Sequence, residues 1–65
     1  MMEHRVKKYK WTEGNLSSRE YYFKDLKEAV EFANSSEEQT VKVFNDQGDL
    51  VHHVEDKKVV MDANE

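Results

Sequence analysis

A single segment with helical periodicity, flanked on each side by strand-like segments, is the feature that most constrains this chain. Apolar residues recur at i, i+3, i+4 and i+7 from Leu26 to Ala33. Asp25 is a preferred N-cap residue, and Glu28 three residues later resembles a capping box. We expect Asn34 to end the helix in a left-handed conformation. One short helix covers one face of a small sheet, so the other face of that sheet has no helix to cover it.

The flanking segments predict two β-hairpins. Four segments are rich in aromatic or β-branched residues and contain no proline: residues 4–11, 16–24, 40–44 and 50–54. Gly14-Asn15 and Gln47-Gly48 are predicted as two-residue turns, because such residues accept positive φ angles. The predicted fold class is therefore α+β: a single small ββαββ domain with two antiparallel hairpins and one helix packed on one face of the sheet.

The length of 65 residues allows one domain, which we place at residues 4–56, with a polar and flexible tail at 57–65. The chain has no cysteine, which favours a reducing compartment. No apolar run is long enough to span a membrane, and the N-terminus does not resemble a signal peptide. These features predict a cytoplasmic protein that does not associate with membranes.

The two turns sort the strand residues into two faces, because side chains alternate along a strand. The face predicted to lie under the helix carries Val6, Tyr21, Phe23, Val41, Val43, Leu50 and Val54. The face left uncovered carries Arg5, Lys7, Tyr9, Trp11, Tyr22, Phe44 and His53. Aromatic and cationic side chains therefore gather on one exposed surface of a chain whose net charge is −4.

Exposed aromatic and arginine side chains are typical of binding surfaces. We therefore predict a non-enzymatic protein-binding module that acts through the open sheet face or an edge strand. The predicted partner-binding residues are Arg5, Lys7, Tyr9, Trp11, Tyr22 and Phe44. The partner is predicted to be another protein, a basic one steered by the acidic helix and loops, and a homodimer through the same face is a variant. The alternative is single-stranded nucleic acid, which basic strands with interleaved aromatic residues can bind.

The sequence offers little catalytic or metal chemistry. Adjacent strand residues point to opposite faces, so His52 and His53 cannot chelate one ion together, and we expect a buried or half-buried His52. The two isolated glycines form no phosphate loop, and there is no nucleophile elbow. We accordingly predict no enzyme activity, no metal site and no cofactor.

The second half of the hairpin-helix-hairpin order reads Val41-Lys42-Val43-Phe44-Asn45-Asp46-Gln47-Gly48-Asp49-Leu50-Val51-His52. This order and this segment resemble those of short proteins of bacteria and their phages. The pattern is similar to a bacterial ββαββ family of unknown function. It also resembles a small phage-encoded antitoxin that inhibits a host messenger-RNA-cleaving toxin. This resemblance implies a phage-type accessory protein that binds and modulates a host protein, and it transfers no functional residue.

Overall fold

The computed structural model describes residues 3–63 and shows one antiparallel sheet with one helix. The elements are β1 (His4–Thr12), β2 (Asn15–Phe23), α1 (Leu26–Asn34), β3 (Thr40–Phe44), β4 (Leu50–Glu55) and β5 (Lys58–Met61). The strand order is β2-β1-β3-β4-β5. The α+β class and the position of the helix between the two predicted hairpins are confirmed, whereas the prediction of four strands is wrong.

The fifth strand lies within the segment that the sequence analysis assigned to the tail. Asp56 and Lys57 form a tight turn in which both residues have positive φ angles, 51° and 66°. This turn brings Lys58 opposite Glu55 and adds β5 to the sheet. Neither turn residue is glycine or asparagine, so the sequence carries no strong turn signal here. The flexibility predicted for residues 57–65, and with it the domain boundary at residue 56, stays a prediction; residues 64–65 lie outside the described residues.

The helix begins where the sequence indicates. The Asp25 side chain accepts a hydrogen bond from the Lys27 backbone N–H at 2.9 Å, which satisfies one of the free donors of the first turn. The end of the helix differs from the prediction. Asn34 keeps a helical conformation, and Ser35 is the C-cap with a φ of −92° rather than a positive value. Its backbone N–H and its hydroxyl both donate to the Glu31 carbonyl oxygen, so no left-handed residue is needed.

The first hairpin turns at Glu13-Gly14, not at Gly14-Asn15. Both turn residues have positive φ angles, 51° and 82°, and Thr12 pairs with Asn15. Val6 therefore lies opposite Tyr21, whereas a two-residue turn at Gly14-Asn15 would place it opposite Phe23. The error shifts the partner of every β1 residue by two positions, so each side chain keeps its predicted face.

The second hairpin has a five-residue turn in place of the predicted Gln47-Gly48 pair. The Asn45 carboxamide oxygen accepts hydrogen bonds from the backbone N–H groups of Gln47 and Asp49, both at 2.9 Å. This side chain holds the wider loop closed, and Gly48 supplies the expected positive φ, 86°. The register then shifts by one residue at Phe44, which pairs with Leu50.

The core lies between the helix and one face of the sheet. Its fully or nearly fully buried members are Val6, Ala29, Ala33, Val41, Val43 and Val54. The Phe32 ring covers two rings of β2, with its centroid 4.9 Å from that of Tyr21 and 5.1 Å from that of Phe23. These positions match the predicted helix-facing set. The exception follows from the register shift: Val51, rather than Leu50, packs against the core cluster.

The two outer strands of the sheet are different in kind. β2 has nine residues that pair with β1 in one uninterrupted register. β5 has four residues, and its pairing with β4 shifts between His53 and Val54, which leaves Val60 as an extra, bulged residue. Short length and bulges are devices that protect a sheet edge from further pairing. β5 is therefore a protected edge, and β2 is an open one.

Candidate functional site

The sheet surface away from the helix carries all six residues predicted to bind a partner. Alternation along β1 and the cross-strand partners place 16 side chains there, and we call this surface the open face. It comprises Arg5, Lys7, Tyr9, Trp11, Leu16, Ser18, Glu20, Tyr22, Thr40, Lys42, Phe44, Leu50, His53, Glu55, Lys58 and Met61. The structure therefore places Arg5, Lys7, Tyr9, Trp11, Tyr22 and Phe44 together on one continuous surface.

The open face is positively charged although the chain is acidic. It carries four cations, from Arg5, Lys7, Lys42 and Lys58, against the two carboxylates of Glu20 and Glu55. This surplus of two positive charges contrasts with the net charge of −4 for the whole chain. The remaining surface is consequently strongly acidic.

Two lysines flank one aromatic ring near the centre of the open face. The ammonium groups of Lys7 and Lys42 each lie 5.5 Å from the centroid of the Tyr9 ring. The two lysines are direct cross-strand partners, an arrangement in which their charges repel. The ring offsets part of this repulsion, because its face attracts cations within ~6 Å. The two ammonium groups thus form a concentrated positive site beside an aromatic side chain.

A second cation–ring pair lies at the other end of β1. The Arg5 guanidinium carbon is 4.9 Å from the centroid of the Phe44 ring, and its Nη1 is 3.7 Å from a Glu20 carboxylate oxygen. The Tyr22 hydroxyl donates to the same carboxylate at 3.2 Å. These contacts restrict the rotamers of several large side chains before any partner arrives, which lowers the entropy lost on binding.

The tip of the first hairpin supplies the apolar part of the open face. Trp11 is opposite Leu16, and the two side chains are 61% and 53% exposed. Together with Tyr9, Thr40 and Lys42 they line a shallow cleft of about 240 Å³. Tyr22, also on the open face, is 58% exposed. Exposed aromatic groups of this size are the residue type that most often dominates binding energy.

The sequence analysis missed Leu16 and left Lys42 out of the predicted binding set. Leu16 was assigned to the correct strand, but only the turn at Glu13-Gly14 makes it the partner of Trp11. Lys42 lies in the predicted strand 40–44, and the antiparallel pairing of β1 with β3 brings it beside Tyr9. Strand order is not encoded in local patterns, so this pairing could not be read from the sequence.

Two neighbouring side chains on the open face contact the Glu55 carboxylate near β5. The Thr40 hydroxyl donates to Glu55 at 2.7 Å, and His53 Nε2 lies 3.1 Å from the other oxygen of the same carboxylate. The hydrogen bond from Thr40 lowers the pKa of Glu55 below its ordinary value, with a smaller contribution in the same direction from His53. The lowered pKa favours the anionic form of Glu55, which lies on the open face between the cations of β1 and β3 and Lys58 of β5.

The histidines do not form a metal site. His53 lies on the open face, and His52 is fully buried on the helix side, as predicted. His52 Nδ1 accepts a hydrogen bond from the Ala63 backbone N–H at 3.0 Å, so its Nε2 carries the proton and donates to Asn34 at 2.8 Å. Within residues 3–63, no group of three histidine, aspartate or glutamate side chains is placed to hold a metal ion.

No protein-family model matches the chain, and comparison with curated proteins and with solved structures finds no match either. Across residues 3–63 there is no helix with the length and apolar character needed to cross a membrane. The fold and the open face define a small antiparallel α+β domain with an uncovered basic and aromatic sheet surface.

Proposed function

We propose that this chain is a small, non-enzymatic protein-binding module, and that it uses the open face to hold an acidic surface of a partner protein whose activity it modulates. The observation that carries the proposal is the concentration of exposed rings and paired cations on the one sheet face that the helix does not cover. The role in modulating a partner follows the resemblance to phage-type accessory proteins.

The size of the open face supports a protein partner. Five strands spaced ~4.8 Å apart make the face roughly 24 Å wide, and the nine-residue β1 is about 30 Å long. Such a face can supply most of the ~800 Å² that each partner buries in a standard interface. Trp11 and Tyr22 would act as anchors, because both are large, exposed and supported by neighbouring strands.

The charge of the open face supports an acidic partner surface. Like charges placed across an interface disfavour the wrong partner, and complementary charges speed association. The cations beside Tyr9 are only partly neutralised within the protein, since Lys7 lies 4.0 Å from Glu20 and Lys42 makes no ion pair among the described residues. Carboxylates of a partner would complete this pairing.

Quantitative affinity capture from a lysate of the native source tests the proposal. Three forms of the protein serve as bait: wild type, an open-face variant with Trp11→Ala and Tyr22→Ala, and a control with Lys27→Ala and Glu31→Ala, which alters two exposed helix residues outside the open face and keeps the net charge. We expect at least one protein to be retained by wild type and control and lost by the open-face variant. Its affinity for purified wild type should fall at least tenfold in the variant, corresponding to ~1.4 kcal/mol.

Nuclease treatment of the lysate and light scattering test whether the open face instead binds nucleic acid or a second copy of this chain. Loss of capture after nuclease digestion would identify nucleic acid as the ligand of the open face. A dimer of the wild type that the open-face variant abolishes would identify a second copy of this chain. Equal recovery of every captured protein by all three baits would refute the proposal.

A further inference from the structure

The opposite side of the first hairpin carries a second concentration of positive charge, under the rim of the helix. Lys8, Lys10 and Arg19 project from neighbouring positions on the helix-facing side of β1 and β2. Lys8 and Arg19 are direct cross-strand partners, a position in which like charges destabilise a sheet. The fold thus holds three cations close together on a surface separate from the open face.

These cations line a groove with hydroxyl groups. The groove has a volume of about 430 Å³, and its walls include Lys8, Lys10, Thr12, Ser17, Arg19 and Glu38. It lies where β1 and β2 extend beyond β3, which pairs only with residues 5–9 of β1. The groove is therefore open to solvent on the hairpin side and closed at its inner end by the Glu38 loop.

The only carboxylate in the groove wall is already engaged. Glu38 lies 3.6 Å from the Lys8 ammonium group and accepts a hydrogen bond from the Ser36 hydroxyl at 2.6 Å. Across residues 3–63, neither Lys10 nor Arg19 has a carboxylate within 4.0 Å. The charges of Lys10 and Arg19 are consequently not balanced by an ion pair with any of the described residues.

We infer that this groove binds a phosphate group, with Lys10 and Arg19 supplying charge and the Thr12 hydroxyl supplying a hydrogen bond. The Ser17 hydroxyl supplies another when it exchanges its long bond to the Lys10 carbonyl oxygen, 3.4 Å, for one to phosphate. A guanidinium group fits phosphate through two parallel hydrogen bonds, and an ammonium group adds a point charge. A tetrahedral oxyanion has enough acceptor oxygens to engage two cations and two hydroxyls at once, whereas a planar carboxylate has two oxygens. A bound phosphate would also offset the repulsion between Lys8 and Arg19. The inference is independent of the proposed function, because it concerns the other side of the sheet.

Titration with pyrophosphate, followed by two-dimensional ¹H–¹⁵N NMR at constant ionic strength, tests this inference. We expect saturable shifts of the amide resonances of Lys10, Ser17 and Arg19, and an increase in Tm of the wild type with pyrophosphate. A variant with Lys10→Gln and Arg19→Gln should bind at least tenfold more weakly. A control with Lys24→Gln and Lys27→Gln has the same net charge and should bind like wild type.

A parallel titration with a short oligothymidine distinguishes the sources of the phosphate. Tighter binding of the oligonucleotide through the same three residues would assign the groove to a nucleic-acid backbone, and tighter binding of pyrophosphate would assign it to a free phosphate compound. The inference is overturned if the shifts do not saturate, if sodium chloride alone reproduces them, or if the double variant and its control bind equally. Neither variant alters the open face, so this result is separable from the capture experiment.

Discussion

Replacing Lys8 by methionine is expected to destabilise the protein mainly because a cation–ring contact is lost. The Lys8 ammonium group lies 3.9 Å from the centroid of the Phe32 ring and 5.3 Å from that of Tyr21, and the side chain is only 13% exposed. Methionine keeps the unbranched apolar stem, so packing under the helix is largely retained. The substitution therefore reports on the charge.

The magnitudes favour the ring over the carboxylate as the main partner. A well-desolvated cation–ring contact contributes ~1–2 kcal/mol. The 3.6 Å pair with Glu38 has a gross Coulomb energy of ~4–5 kcal/mol at an effective dielectric constant of ~20. Desolvation and side-chain ordering cancel most of that attraction, and the Glu38 side chain is about one-third exposed, so the net contribution is ~0.5–1 kcal/mol. Relief of the repulsion from Arg19 returns ~0.2–1 kcal/mol.

The expected net loss is therefore ~1–2 kcal/mol, or a decrease in Tm of roughly 5–15 °C for a domain of this size. Double-mutant cycles by urea denaturation separate the two partners. Lys8→Met combined with Phe32→Leu should give a coupling energy of at least ~1 kcal/mol that persists in 1 M salt. Lys8→Met combined with Glu38→Gln should give a smaller coupling that salt reduces. A larger coupling with Glu38 than with Phe32 would refute this reasoning.

Four further outcomes are expected. Burial lowers the pKa of His52 below its ordinary value of 6.5. As the pH decreases, His52 is therefore protonated in the unfolded chain before it is protonated in the folded protein, and the free energy of unfolding should fall below about pH 6.5. Urea denaturation of the wild type and of His52→Gln between pH 7.5 and 5 measures this decrease. Glu13→Asn should raise the Tm by several degrees, because asparagine tolerates the positive φ of 51° better and Asn-Gly is a preferred hairpin turn. Gly48→Ala should cost ~1 kcal/mol from the φ of 86° alone, since no atom lies within 4 Å of the added carbon. Asp25→Ala should cost ~1 kcal/mol through loss of the helix cap, and Asp25→Asn should restore most of it. Thermal denaturation followed by circular dichroism measures these four substitutions at Glu13, Gly48 and Asp25.

Each expectation has a result that would contradict it. A His52→Gln variant with the same pH dependence as wild type would assign that dependence to other groups. Unchanged or lower stability of Glu13→Asn would show that the turn conformation is not strained. A Gly48→Ala variant as stable as wild type, or equal stability of the two Asp25 variants, would remove the stated role of each residue.

Local patterns predicted the helix and the two faces of the sheet. The Asp25 cap and the apolar spacing from Leu26 to Ala33 are signals contained within one segment, and tertiary structure had no reason to override them. The open face survived an error in the first turn because the true register differs by two residues, which conserves alternation. The prediction of faces is therefore more robust than the prediction of cross-strand partners.

The errors occur where the conformation depends on contacts distant in sequence. Glu13, Asp56 and Lys57 adopt positive φ angles in tight turns, although glutamate and lysine are not residue types that favour them. The pairing of the flanking strands fixes the conformation of these turns, so the residue types alone did not predict the correct turn positions. The pairing of β1 with β3, which brings Lys42 beside Tyr9, likewise has no local signal.

The unequal margins of the sheet limit how copies of this domain can assemble. Growth of a fibre by strand addition requires two receptive edges on every subunit, one to accept a neighbour and one to offer the next site. The four-residue, bulged β5 does not accept a further strand, whereas the regular nine-residue β2 can accept one. Strand addition along the hydrogen-bonding direction therefore ends at two copies of the domain. Any strand recruited from another molecule pairs with β2, in the hairpin that carries the positive charge.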